Sequence, residues 1–160
     1  EDEPILLSKN DVIAVYNGVL ASYRAVQYGS FTQSTEVMCD GFNATIGFGN
    51  NYGSIHRTDA SFTTSDSYAE TMWASHYAAI KNYNIAIDQA SLVTDEALVP
   101  YAELLKGVAL YCRASSYLTL ARHFGPAFDE YTASEDLCVP LVLKFDLYEK
   151  PARATVLGRL

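Results

Sequence analysis

GVALYCRASSYLTLARHFGP, residues 107–126, reads as a helix with its stop signal attached. Glycine at 125 ends the run, and Pro126 cannot continue it because it lacks an N–H and its ring clashes with the preceding turn. Upstream, Pro100 is tolerated chiefly in a first helical turn, so the helix is predicted to begin near Val99, with residues 94–98 as its approach, and to end at Phe124. Leu104, Leu105, Val108, Cys112, Leu118 and Ala121 leave a narrow polar face of Glu103, Lys106 and Arg113. A helix apolar around most of its circumference is buried on more than one side, which places this one inside an array of helices.

Working outward, a second helix is expected from Asp66 or Ser67 to about Ser91. It has a capping side chain before Tyr68, and Glu70 early enough to favour the positive end of the dipole. Met72, Trp73, Tyr77, Ile80, Ile87 and Ala90 supply its buried face. A first helix is expected after Ser8 or Asn10 and to about Gln27, before Gly29, with Val12, Val15, Tyr16, Val19, Tyr23 and Val26 in one stripe. Tyr16, Tyr77, Tyr83, Tyr111 and Tyr117 are assigned to the core. Between these helices, residues 30–67 are rich in Gly, Asn, Ser and Thr and read as irregular chain with at most short strand or helix pieces around Glu36–Asp40. Long non-repetitive segments of this kind are often functional. After Phe128 the chain is acidic and loop-like. Val139-Pro140-Leu141-Val142-Leu143 is a short extended run, and a new helix is expected from Arg153, with Thr155 as its cap.

Composition closes off several classes of function. The formal net charge of -8 offers no basic footprint for a phosphate backbone, so nucleic acid is not an expected partner, and an anionic bilayer surface is disfavoured for the same reason. No uninterrupted apolar run reaches the roughly 18 residues that a spanning helix needs. Cys39, Cys112 and Cys138 show no metal-ligand spacing and are expected to be buried free thiols, with one disulfide left open but not indicated, so they do not settle the compartment. His56, His76 and His123 lie in separate segments without a metal motif and are read as surface or capping residues, so no cofactor or metal is expected. The acid pairs Asp95-Glu96, Asp129-Glu130 and Glu135-Asp136 are of the type used at sugars by glycosidases, but they sit at helix approaches and in an acidic loop, where solvated charge is the better reading.

Two antiparallel helices led by Trp73 and followed by alanine-rich positions resemble a tetratricopeptide unit, although the strict repeat is not met. The closer resemblance is to the SusD/RagB family. Tyr16-Asn17-Gly18 is similar to that family's "ayNGvY" segment. The stretch from Trp73 through Tyr77, Ile80 and Asn82 to Asn84 resembles its "W..aY..I.raN" helix. Gly107 through Arg113-Ala114, Tyr117, Leu118 and Phe124-Gly125 is similar to "GEA.flRA..Y..L...yG", and Val139-Pro140-Leu141-Val142 with Arg153-Ala154-Thr155-Val156 to "vPLvl…RatveevY". The order is kept over most of the chain. Val108 stands where the family usually has Glu, and Tyr111-Cys112 replaces a Phe-Leu pair, which bears on any buried polar bond made by that Glu.

The resemblance implies an all-α fold of tetratricopeptide-like helical hairpins with a long irregular insertion and a short extended segment. It implies that residues 1–160 are the N-terminal helical part of a longer protein, held at the outer-membrane surface by a lipidated N-terminal Cys outside this sequence. It further implies a SusC-like TonB-dependent outer-membrane transporter as partner, a glycan, oligosaccharide or peptide as ligand, and no catalysis.

For the binding site, the residues point to aromatics combined with amides and hydroxyls, because sugars stack their C–H faces on rings and hydrogen-bond at their edges. Phe48, Asn50, Asn51, Tyr52, His56 and Arg57 hold that mixture within the insertion and are the candidate ligand contacts; otherwise Phe48 and Tyr52 simply anchor the loop. The rival readings are a generic helical-repeat scaffold for protein partners and, last, a glycan-cleaving enzyme.

Overall fold

In a computed structural model the described residues are 4–39, 41–42, 52–57, 67–146, 148 and 150–158. They form α1 (Lys9–Gln27), α2 (Ser30–Met38), α3 (Gly53–His56), α4 (Ser67–Ser91), α5 (Val99–Phe124), β1 (Leu137–Pro140) and β2 (Arg153–Thr155). The three long helices have the expected bounds. Ser8 caps α1 through a capping box with Asp11: the Asp11 amide bonds to Ser8 Oγ, and the Ser8 amide donates to Asp11 Oδ2 at 2.8 Å. Pro100 lies in the first turn of α5.

α1, α4 and α5 pack on one another. Trp73 meets Phe124 while Asn84 meets Arg113, so positions advance along α4 as they retreat along α5, and the two form an antiparallel hairpin. Lys9 bonds to Tyr101 and Gln27 to Thr119, so α1 runs parallel to α5. The core lies between them: Val12, Val19 and Val26 at heptad spacing on α1, Ile80 and Tyr83 on α4, and Leu105, Ala109, Cys112 and Leu120 on α5. This is the all-α, hairpin-built fold that the sequence implied.

Beyond Phe124 the chain turns back over the hairpin. Gly125 adopts extended φ/ψ, and what requires glycine there is space: a Cβ would stand 2.6 Å from Cys138 Sγ and 2.7 Å from the Ala121 carbonyl oxygen. Residues 140–143 then lie along the helices as a strap held by side chains. The Tyr77 hydroxyl donates to the Pro140 carbonyl at 2.8 Å, and the Asn84 amide donates to the Val142 carbonyl at 2.8 Å. Tyr117 Oη accepts from the Val142 amide at 2.7 Å and donates to its carbonyl at 2.8 Å. Arg113 joins Asn84 Oδ1 at 2.8 Å to the Leu143 carbonyl at 3.1 Å. Burial raises the Tyr77 and Tyr117 phenols above their ordinary range, so both remain neutral donors.

Five expectations need correction. Residues 30–38 are helical: Gly29 at φ 84° turns the chain out of α1, and α2 is held by Val37 and Ser34, both buried, and by Phe31 against Tyr68 and His76. Tertiary contact thus overrides the weak helix preference of a Ser/Thr-rich segment. Residues 153–155 are a strand antiparallel to β1, with Leu137 opposite Thr155 and Pro140 opposite Arg153. Arg153 also donates to the carbonyls of Cys138 and Leu137, which ties it into extended pairing, so Thr155 caps no helix. Tyr111 is 65% exposed, tilted against Tyr23 at 6.1 Å and in line with the exposed Leu104 and Leu118, so one face of α5 is uncovered among the described residues. Cys39 is exposed, whereas Cys112 and Cys138 are buried thiols as expected.

The fifth correction is His76, which is wholly buried rather than a surface or capping residue; neither ring nitrogen has a hydrogen-bond partner among the described residues. α4 turns it inward against Phe31, and burial, with a smaller contribution from His123, depresses its pKa to about 4.

Two outcomes follow from these contacts. Asn84→Ala removes one of the two hydrogen bonds to the Val142 carbonyl and one of the two from Arg113 and is expected to cost about 2–3 kcal/mol in urea unfolding, against about 1 kcal/mol for Tyr117→Phe. For His76, the unfolded chain takes up the proton below about 6.5, before the folded one does. Stability is therefore expected to fall on the order of 3 kcal/mol between pH 6.5 and about 4 through this group alone. His76→Phe, compared with the native chain across that window, should show a correspondingly flatter pH profile.

Candidate functional site

Aromatic and polar side chains gather at one end of the bundle, where the first turns of α4 meet the last turns of α5 and α1. α2 and α3 attach at this end. Phe31 lies 6.0 Å from Tyr68, and Thr35 Oγ1 is 3.2 Å from His123 Nε2. His123 Nδ1 lies 2.8 Å from the Thr119 carbonyl, which can only accept, so that nitrogen carries the proton.

Of the residues the sequence singled out, Phe48, Asn50 and Asn51 lie outside the described residues. Tyr52 and His56 are half-buried on α2: the Tyr52 hydroxyl donates to Gln33 Oε1 at 3.3 Å, and His56 Nδ1 lies 3.3 Å from the Val37 carbonyl. Arg57 is exposed, with its guanidinium folded back over Gly53, and Ile55 is the buried anchor of the turn. Tyr52 also lies close enough to Tyr68 to influence its phenol. Residues 52–57 therefore join the same end of the bundle as the start of α4.

The sequence reading treated Trp73 as packing and missed what it lines. A cleft of about 480 Å³ is bounded by Ala69, Glu70, Trp73, Phe124, Pro140 and Arg153. Its floor is aromatic: Trp73 meets Phe124 edge-on at 5.1 Å and Tyr77 at 5.0 Å. An exposed carboxylate, Glu70, and the guanidinium of Arg153 flank the rings. Arg153 is fixed by the two carbonyls of β1, so strand pairing positions it, and the strap positions Pro140. The signal available in sequence was the antiparallel hairpin itself, which brings Trp73 near the start of one helix beside Phe124 at the end of the other. A smaller cleft of about 250 Å³ lies between α1, α2 and α5, lined in part by Gln27, Thr35, Glu36, Thr119, Arg122 and His123.

The acid pairs serve turns. Asp95 accepts from the Ala97 amide, Asp129 from the Tyr131 amide, and Asp136 from the Thr132 hydroxyl. Among the described residues no three His, Cys, Asp or Glu side chains converge as metal ligands, and no helix is long and apolar enough to cross a membrane.

Against known proteins, residues 3–158 match the sequence model of a family described as starch-binding and associating with the outer membrane. No curated protein and no solved structure matches the chain.

Trp73 is the chain's one tryptophan, so its emission reports this cleft alone. Phe124→Ala removes the ring that covers its edge. The emission is expected to move to the red and acrylamide quenching to rise, at a stability cost of about 1 kcal/mol or more. An unchanged spectrum in the variant would show that the two rings do not pack as described.

Proposed function

The chain belongs to the SusD-like family, and on that premise we propose that it is a non-catalytic nutrient-capture protein of the bacterial outer-membrane surface. It binds a glycan or oligosaccharide and delivers it to a SusC-like TonB-dependent transporter, with a lipid anchor as its only hold on the membrane.

The observation that carries this reading is the aromatic cleft at Trp73. A sugar ring laid on Trp73 and Phe124 buries its C–H face, while Glu70 accepts hydroxyl protons. Arg153 spends Nε and Nη2 on the strand carbonyls, and its Nη1 has no partner among the described residues, leaving a donor for a ring or hydroxyl oxygen. The loop bearing Phe48, Asn50, Asn51, Tyr52, His56 and Arg57 belongs to the same site in this reading, supported by the approach of Tyr52 to Tyr68, the neighbour of Ala69 and Glu70. Binding needs no reacting group. Its energy comes from stacking and hydrogen bonds, and specificity from the few polar groups at the rim.

The test is a titration of the protein with starch oligosaccharides, other polysaccharide fragments and peptides, read by Trp73 emission and by analysis of the recovered ligand. Saturable binding to a glycan that is recovered uncut is expected, with Glu70→Gln about tenfold weaker and Tyr52→Ala weaker by a few fold. Cleavage of the glycan would overturn the capture reading. Failure to bind any probe, with failure to associate with a purified TonB-type transporter, would favour the generic helical scaffold.

A further inference from the structure

We propose that the smaller cleft between α1, α2 and α5 is a second binding site, separate from the Trp73 cleft, and that it takes one neutral sugar ring. The proposal rests on the glycan-capture reading above and extends it to a place that neither the family match nor the sequence motifs assign.

The Thr32 hydroxyl donates to the Gln27 carbonyl at 2.7 Å, and the Thr119 hydroxyl to the Ser115 carbonyl at 3.1 Å. Gln27 spends an amide proton on Thr119 Oγ1 at 3.4 Å, which leaves its carbonyl oxygen as an acceptor. The two hydroxyl protons are committed inward, so Thr32 and Thr119 offer a ligand lone pairs, while Gln27 offers its carbonyl oxygen and its second amide proton. Glu36 adds a carboxylate. The one strong donor on the wall is Arg122, whose guanidinium has no hydrogen bond or ion pair among the described residues, although Glu36 lines the same cleft. Basic charge in the last turn of α5 suits the helix dipole. That explains why a cation stands there, and the Glu36 carboxylate lies against Gly41 instead of pairing with it.

A wall rich in acceptors, with the Arg122 guanidinium and one Gln27 amide proton as its donors, is complementary to a ligand rich in hydroxyl groups. A pyranose presents hydroxyls around its edge, and each also accepts, so one meets Arg122 while others donate to Gln27, Glu36 and Thr32. Half-buried Phe31 supplies the apolar surface for the ring's C–H face. The opposite charges of Glu36 and Arg122 cancel, so nothing selects an ionised sugar, and a carboxylate would meet Glu36. At about 250 Å³ the cleft is roughly half the size of the Trp73 cleft and suits a single ring. His123 stands at its edge, next in sequence to Phe124 of the larger cleft, so the last turn of α5 is the wall between the two.

The test is a methyl-detected NMR titration of the full chain with methyl α-glucoside, and separately with glycine amide as an ammonium probe. Saturable shifts of the Thr35, Thr119 and Met72 methyls with the glucoside are expected. They should persist in Glu70→Gln and weaken about tenfold in Arg122→Ala. Arg122 is exposed, so that variant should fold, and Glu36→Gln, also exposed, is a second variant expected to weaken the same shifts. Silence of these methyls while Trp73 emission responds to sugar would overturn the second site and leave the family reading standing. Shifts with glycine amide alone would overturn the ligand class. No sugar response at either cleft would overturn both this proposal and the capture reading beneath it.

Discussion

The buried side chain of Asn84 holds the strap to the helices, and most of what the molecule presents to a ligand depends on that attachment. An amide with no exposure to water must satisfy its own groups, and Asn84 does so by donating to the Val142 carbonyl while accepting from Arg113, which reaches on to Leu143. Tyr77 and Tyr117 close the two sides. Residues 140–143 thus replace sheet pairing with side-chain pairing. Without these contacts their carbonyls would face an apolar helix surface unsatisfied. The strap in turn brings Pro140 beside Trp73, and β1 holds Arg153 across from Glu70, so the cleft has walls before any ligand arrives.

The same contacts give a physical reason for the motifs that carried the family resemblance. Tyr77 and Asn84 come from the first hairpin helix, Arg113 and Tyr117 from the second, Pro140 and Val142 from the extended run, and Arg153 from the last segment. These are pieces far apart in sequence that meet in one hydrogen-bonded cluster or at its edge. The departures sit outside it. Val108, where the family usually has Glu, packs against the core as an apolar side chain, and Cys112 is a buried thiol, pushed up by desolvation, in place of a larger hydrophobe. Neither change touches the strap.

What was legible in the sequence was what local physics decides. Capping at Ser8, proline in a first turn at Pro100 and the Gly125-Pro126 stop act within a few residues, and they placed the ends of α1 and α5 correctly. α2 and β2 were not legible because their structure comes from partners distant in sequence: Phe31 and Ser34 are helical because the bundle receives them, and residues 153–155 are extended because β1 lies alongside. Tyr111 was misplaced because an apolar residue on an apolar helix gives no sign of which face is covered. The Tyr52 loop was chosen for composition, whereas the Trp73 cleft needs the hairpin, the strap and strand pairing at once, and no single stretch of sequence shows all three. His76 was equally hidden, since burial of a lone histidine depends on what closes over it.

The central claim, that the strap is built into the ligand-free protein, is tested most directly by amide hydrogen exchange at Val142. Its N–H bonds to Tyr117 Oη and, among the described residues, to no backbone group, so its protection measures the side-chain clamp. The structure predicts slow exchange, comparable to amides in the middle of α5, and a marked loss of protection in Asn84→Ala. Exchange at the rate of an open loop in the native chain would contradict the account, because the cleft at Trp73 would then lack its Pro140 wall until something else supplied it.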